Sequence, residues 1–433
     1  MNNLEISTRD LNVLWHPCTQ MKDHETIPLV PISKADGIYL YDFEGNRVID
    51  AISSWWVNLF GHCNPYINQK IKEQLDTLEH VILAGFTHEG IVRLSERLVK
   101  LSPEGLTRCF YADNGSSAIE VALKMSYHSH KNGGKEKPLF VSLSESYHGE
   151  TLGALSVGDV ALYKETYEPL LIRSIQTPSP KNQTIEAALE AAKSFENLLQ
   201  ERSDEIAALI VEPLVQGAGG MRMYHPLFLS ETKRLCVEYG VHFIADEILV
   251  GFGRTGSMFA CEQASITPDF LILSKGLTGG YLPLSVVLTT EEIYGSFYCD
   301  YNPTRSFLHS HSYTGNALAC AAANATLDIF ESENVIENNQ RTIAFIAQEL
   351  KRFERLARVK EVRQCGMIAA IELEGFDPKD RIGLKIHQQC MGQGVLIRPL
   401  GSVIYVMTPY VITFEELQRV FDAIEGSILS IDV

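Results

Sequence analysis

Two stretches decide the fold: Val241-His242-Phe243-Ile244-Ala245-Asp246-Glu247 and, further along, Pro268-Asp269-Phe270-Leu271-Ile272-Leu273-Ser274-Lys275-Gly276. Each is a short apolar run that stops abruptly at charge. Runs that are apolar throughout read as strands covered on both faces, as parallel strands are. Further runs of this kind occur at Leu139–Leu143, Ile206–Val211 and Leu284–Leu288. Helical patterns lie between them, for example over Thr184–Gln200 and Leu227–Tyr239. Strands alternating with helices predict an α/β fold built on a mainly parallel sheet. In such a sheet the ligand crevice lies outside the carboxyl ends of the strands, which is where Asp246 and Lys275 fall.

A second, smaller α+β domain is expected from the C-terminal hundred residues. Helical patterns run near Val335–Arg358, Arg381–Gly392 and Phe414–Leu429, with strand patterns at Met367–Leu373 and Val403–Met407. The N-terminal stretch, with short strand-like pieces at Ile38–Tyr41 and Arg47–Ile49, is assigned to the small domain. The expected division is a large domain over 60–325 and a small one combining 1–59 with 326–433.

Composition excludes several classes. The chain has 433 residues, 45% of them apolar and 21% charged, which suits a globular protein. A formal net charge of −17 argues against nucleic acid and anionic membranes as partners. None of the nine cysteines forms a C-x-x-C pair, so reduced, mostly buried thiols are expected, and no metal site. No signal peptide or transmembrane run stands out, and a cytoplasmic location is expected.

The motifs sharpen the picture. Tyr111-Ala112-Asp113-Asn114-Gly115-Ser116-Ser117 reads as a strand end, a glycine turn and a helix start, with Ser117 and Glu120 at capping-box spacing. Free N–H groups at such a start favour phosphate. A carboxylate such as Asp246 at a buried strand end needs a cationic partner, and a protonated heterocyclic nitrogen would serve. A buried lysine such as Lys275 has its pKa lowered by desolvation, which suits Schiff-base chemistry. An aromatic at Tyr147, beyond the strand Leu139–Leu143, could stack on a planar ring. Gly251-Phe252-Gly253-Arg254-Thr255-Gly256 matches G-x-G-x-x-G, but no helix cap follows and acids precede it. It reads as a flexible loop over the crevice rather than a dinucleotide site.

Taken together, these pieces resemble the class III, ω-amino-acid type aminotransferases. The match rests on Phe243 to Ile248, Gly251 to Gly256, Asp269, Ser274-Lys275-Gly276 and Thr278-Gly279-Gly280. It implies the fold type I architecture, pyridoxal 5′-phosphate as cofactor, and a homodimer with shared active sites. Trp15-His16-Pro17, Ser53-Ser54-Trp55-Trp56, Tyr147-His148-Gly149, the run from Glu212 to Met221, and Ile397-Arg398-Pro399 are most similar to one branch. That branch passes the amino group of S-adenosylmethionine to 8-amino-7-oxononanoate in biotin biosynthesis. Another donor, lysine or an ω-amino acid with 2-oxoglutarate, is the alternative.

The resemblance implies roles for individual residues. Lys275 would carry the cofactor and move a proton, and Asp246 would keep the pyridine nitrogen protonated. Tyr147 would cover the ring and face the substrate. Gly115 and Ser116 would bind the phosphate; the segment Ser310-His311-Ser312 would cross from the partner subunit, Ser312 completing the phosphate site, His311 touching the cofactor and Ser310 the substrate. Arg398 would bind the acceptor's carboxylate, and Trp55, on a strand with Trp56 facing the other way, would line the substrate pocket. Cys18 stands where many members of the branch carry an aromatic that contacts substrate. Ser312 replaces the commoner threonine, and Leu249 replaces a glutamine found in many relatives.

Overall fold

A computed structural model describes residues 1–432. Its centre is a seven-stranded sheet in the order Leu106–Ala112, Ser285–Thr290, Phe270–Leu273, His242–Asp246, Ile206–Val211, Leu139–Leu143, Ser174–Thr177. Ser285–Thr290 alone runs against its neighbours. The remaining adjacent pairs are parallel. Every residue of Leu139–Leu143, Ile206–Val211 and Phe270–Leu273 is buried, as strands with helices on both faces must be.

Register matters most. Ala245 pairs with Val211 and Asp246 with Ile272. Parallel strands end on the same edge, so Glu212, Asp246 and the Ser274-Lys275 turn emerge side by side. Ala112 pairs with Ser285 and brings the helix Gly115–Asn132 to that same edge.

Outside this sheet, the N-terminal strands Ile32–Asp36, Tyr39–Asp42 and Arg47–Asp50 join Val395–Leu396 in a four-stranded sheet. Val359–Cys365, Ile368–Leu373 and Val403–Val406 form a three-stranded one. Both pack into a second core that includes Ile49, Phe353, Ile404 and Phe421.

Several expectations need correction. The pattern to Arg358 ends earlier as a helix, at Leu350, and Val359 begins a strand. The cap of Gly115–Asn132 is Asn114, whose side chain accepts from the Ser117 N–H, while Glu120 accepts from Gly153 N–H instead. Cys18, Cys63 and Cys299 are exposed among nine free cysteines. The Gly251–Gly256 loop is not a flexible cover: Arg254 is buried in it and donates to the carbonyls of Asn58 and Thr408 at 2.9 and 2.7 Å. No helix among the described residues is long and apolar enough to cross a membrane.

The largest correction concerns Trp55 and Trp56. Ser53–Trp56 is a left-handed turn, not a strand, with φ of 51°, 45°, 72° and 75° along it. Each such residue costs on the order of 1–2 kcal/mol. Asp50 holds the turn. Its Oδ1 accepts from the N–H groups of Ile52 and Ser54 at 3.2 and 3.0 Å, and its Oδ2 from Ser54 Oγ and His62 Nε2 at 2.7 and 2.9 Å.

Burial alone would raise the Asp50 pKa, but the hydrogen bonds from His62 and Ser54 outweigh it and hold the carboxyl below its usual range. A depressed carboxyl stabilises the fold above its unfolded pKa and loses that contribution as pH falls through the folded value. Asp50→Asn is therefore expected to unfold at lower urea than the parent at pH 7. The gap should narrow as pH falls below about 4. Urea midpoints across that range check it; a pH-independent gap would assign the effect to shape instead of charge.

Candidate active site

The strand ends enclose a cavity of about 390 Å³. Lys275, Asp246, Glu212, Tyr147, His148, Gly115, Ser116 and Trp56 all line it. Of the residues singled out from sequence, Lys275, Asp246, Tyr147, Gly115 and Ser116 are thus brought together.

Lys275 has a φ of 40°, a left-handed conformation that costs on the order of 1–3 kcal/mol and clusters at functional sites. Its side chain is half-buried and lines the cavity. Desolvation lowers its pKa to about 8, and Asp246 and Glu212 pull the other way. The ammonium lies over the Trp56 ring, 4.6 Å from its centroid.

Asp246 is buried. Its Oδ2 accepts from His148 Nδ1 at 2.7 Å, and its Oδ1 from the Ile248 N–H at 3.1 Å. Each oxygen keeps a second lone-pair direction, and His148 is its only ion-pair partner among the described residues. Glu212 is fully buried beside it, accepting from the N–H groups of Tyr147 and Gly217. Burial and the Asp246 charge push the Glu212 pKa up to about 7, against His148 and these two hydrogen bonds.

Tyr147 packs edge-on against Tyr163 at 5.4 Å, and its hydroxyl donates to Glu150. Burial and the Glu150 charge raise its pKa. Gly149, at φ +123°, lies so close to Ser116 that a Cβ would collide with Ser116 Oγ. This close approach seats the helix start in the cavity wall.

The donor set suits a phosphorylated aromatic aldehyde with a basic ring nitrogen. An amine stands ready for the aldehyde, and a carboxylate for the ring nitrogen. A helix start serves the phosphate, and an aromatic the ring face. The lowered amine pKa of Lys275 and the buried Asp246, paired only with histidine, are the observations that fit.

Other expected residues lie outside the cavity wall. Trp56, not Trp55, lines it, because the left-handed turn buries Trp56 and leaves Trp55 exposed. Arg398 stacks on the Trp55 ring at 4.7 Å and donates to the Cys18 carbonyl at 3.0 Å. Cys18 itself is exposed; partial burial and the Glu150 charge raise its thiol pKa, and Arg398 opposes them. Ser310, His311 and Ser312 do not reach the cavity of their own chain. His311 Nε2 meets His309 Nε2 at 3.2 Å, and the Ser312 carbonyl binds His80.

Residues 20–428 match the family model for aminotransferase class-III. The chain belongs to the class III aminotransferases. This aminotransferase is 55% identical over 421 residues to the adenosylmethionine-8-amino-7-oxononanoate aminotransferase of Helicobacter pylori, covering 96% of this chain and 95% of that one. The crystal structure of the protein of that name from Methanocaldococcus jannaschii superposes with a TM-score of 0.95 at 37% identity, over 99% of both chains. An amine transaminase from an uncultivated Pseudomonas species, solved in its PLP-bound form, gives 0.90 at 30% identity, over 96% of this chain and 98% of that one. The aminotransferase uses pyridoxal 5′-phosphate, as its family does.

Glu212 and Trp56 line the cavity although the sequence motifs do not single them out for it. Glu212 carried the signal that picked out Asp246, a carboxylate directly after a fully apolar strand. Trp56 was hidden by the assumption of a strand.

An amine with a pKa near 8 is about one-tenth neutral at pH 7, several hundredfold more than an ordinary lysine. Uptake of pyridoxal phosphate by cofactor-free protein should accelerate with pH and reach half its maximum near pH 8. Stopped-flow absorbance checks this; a midpoint above pH 10 would mean the amine is not desolvated.

Proposed function

We propose that this aminotransferase transfers the amino group of S-adenosylmethionine to 8-amino-7-oxononanoate, giving 7,8-diaminononanoate, as a cytoplasmic homodimer. One observation carries the choice of substrates: the likeness to the Helicobacter pylori enzyme over nearly the full length of both chains. The exchange then runs in two steps, the donor leaving as a keto acid before the acceptor arrives.

Pyridoxal phosphate, when bound, supplies an electrophilic carbon and a ring that accepts the electrons of a broken C–H bond. Lys275 would hold the cofactor through its amine, and its Nζ would serve as the base that moves a proton at the substrate Cα. A pKa near 8 makes the neutral amine available for this at working pH. Asp246 holds a proton on the ring nitrogen, and His148 fixes the orientation of that carboxylate. Gly115 and Ser116 take the phosphate at the helix start. Tyr147 covers the ring and excludes water from one side.

Arg398 binds the acceptor's carboxylate, since a planar fork pairs well with two oxygens. Trp55 supports that guanidinium from below, and the Cys18 carbonyl restrains it. Ser310, His311 and Ser312 act in the cavity of a second copy. The exposure of Leu308 and Tyr313 beside them supports an interface there.

Lys275→Ala should lose turnover to below detection while the protein stays folded, measured with both substrates and by circular dichroism. Normal turnover would remove Lys275 from the chemistry. S-adenosylmethionine alone should bleach the visible band of the holoenzyme. A band that ignores it but responds to lysine or an ω-amino acid would change the donor.

Arg398→Ala should raise the acceptor's KM by about ten- to a hundredfold, the range for a lost charge-assisted hydrogen bond, with kcat little changed. Steady-state kinetics at saturating donor checks this, and an unchanged KM would move the carboxylate site elsewhere.

A further inference from the structure

Glu212 has no part in the proton transfers above, yet it is among the most enclosed charges in the protein. It is the first residue after the strand Ile206–Val211, level with Asp246 through the Val211–Ala245 pairing. No lysine or arginine forms an ion pair with it among the described residues. Instead its Oε2 accepts from the Tyr147 N–H at 2.9 Å and its Oε1 from the Gly217 N–H at 2.8 Å. Those two N–H groups belong to different loops, 144–149 and 212–220. Gln216 adds a second tie between them, donating to the Ser144 carbonyl at 2.8 Å. The Tyr224 hydroxyl donates to the backbone carbonyl of Glu212 itself at 2.6 Å.

Burying a carboxylate fully is costly unless it is hydrogen-bonded. Satisfying one loop N–H would need only a neutral acceptor. A carboxylate, with two acceptor oxygens, can bind two N–H groups at once and strongly. The residue after Tyr147 is His148, whose Nδ1 binds Asp246 and whose Nε2 is buried without a hydrogen-bond partner. One anchor thus controls both the ring that covers the cavity and the imidazole that grips Asp246.

We propose that Glu212 is a positioning residue of this aminotransferase: by joining the backbone N–H groups of Tyr147 and Gly217, its carboxylate holds the Tyr147-His148 segment where His148 meets Asp246. The assignment rests on the roles proposed for Asp246 and Tyr147, and holds whichever amine is the donor. The titratable groups that face Glu212 are Lys275, Asp246 and His148. Its carboxyl titrates near pH 7, so its negative charge is present above that pH and supports protonated neighbours there.

The test uses the holoenzyme of Glu212→Gln, which keeps the shape but presents an amide N–H to one of the two backbone donors. Pyridoxal phosphate should dissociate about tenfold faster, as expected for losing one charge-assisted hydrogen bond. The pH midpoint of the bound cofactor's visible band should fall by on the order of one pH unit, because a nearby negative charge is gone. Combined with His148→Asn, the change should lose no more than the larger single effect, since both act through Asp246.

A wild-type release rate with an unmoved midpoint, or strictly additive effects with His148→Asn, would overturn the proposal. Should Glu212→Gln not accumulate as folded protein, Glu212→Asp carries the test. It keeps the charge but shortens the reach, so faster release is expected with a midpoint near the parent's; parental release would overturn the proposal. A visible cofactor band that forms normally in Lys275→Ala would instead fault the role of Lys275 and leave the Glu212 anchor standing.

Discussion

Three ionisable groups emerge side by side because parallel strands finish on one edge. Glu212 follows one strand, level with Asp246 at the end of the next, and Lys275 lies three residues beyond Ile272, the partner of Asp246 on the third. Each would be costly to bury alone. Together, two carboxylates and one amine, with His148 beside them, partly offset one another's desolvation. The same enclosure moves the amine down and the glutamate up toward neutrality. A site that exchanges protons near pH 7 is thus a consequence of burying mixed charges at a strand edge.

The rest of the structure keeps that edge in place. Arg254 is buried in the Gly251–Gly256 loop and binds carbonyls at 58 and 408, joining the segment after the left-handed turn to the C-terminal part of the chain. The N-terminal strand Arg47–Asp50 pairs with Val395–Leu396, which ends two residues before Arg398. Residues far apart in sequence therefore meet, the Arg398 guanidinium donating to the Cys18 carbonyl.

How much of this was legible in the sequence follows from physical scale. Strands buried on both faces announce themselves as unbroken apolar runs, and a charge at their end is conspicuous. Leu139–Leu143, Ile206–Val211 and Phe270–Leu273 have the bounds the pattern predicts. Ser174–Thr177, a partly exposed edge strand, gave no such run. Asn114 and Ser117 are both good caps, and only the three-dimensional turn chooses between them. A left-handed run at Ser53-Ser54-Trp55-Trp56 contradicts local preference, because none of these residues favours positive φ. It is held by Asp50, four residues before Ser54 and buried at the end of the strand Arg47–Asp50, which accepts from the Ser54 N–H and Oγ. Residues 310–312 could not be tied to any cavity by one chain, since their own is out of reach.

That turn links the two ends of the site. It sends consecutive indoles in different directions, and each carries a cation on its face: Lys275 over Trp56 at 4.6 Å and Arg398 over Trp55 at 4.7 Å. One cation belongs to the chemistry proposed for the cofactor, the other to the recognition proposed for the substrate. Cation–π contacts are worth on the order of 1 kcal/mol each and depend on ring placement. Both rings hang from a backbone conformation that would relax without Asp50. Asp50, which touches neither cation, thus helps place both rings against them. A change at Asp50 or His62 would disturb both ends of the site together, whereas a change at either tryptophan would disturb one.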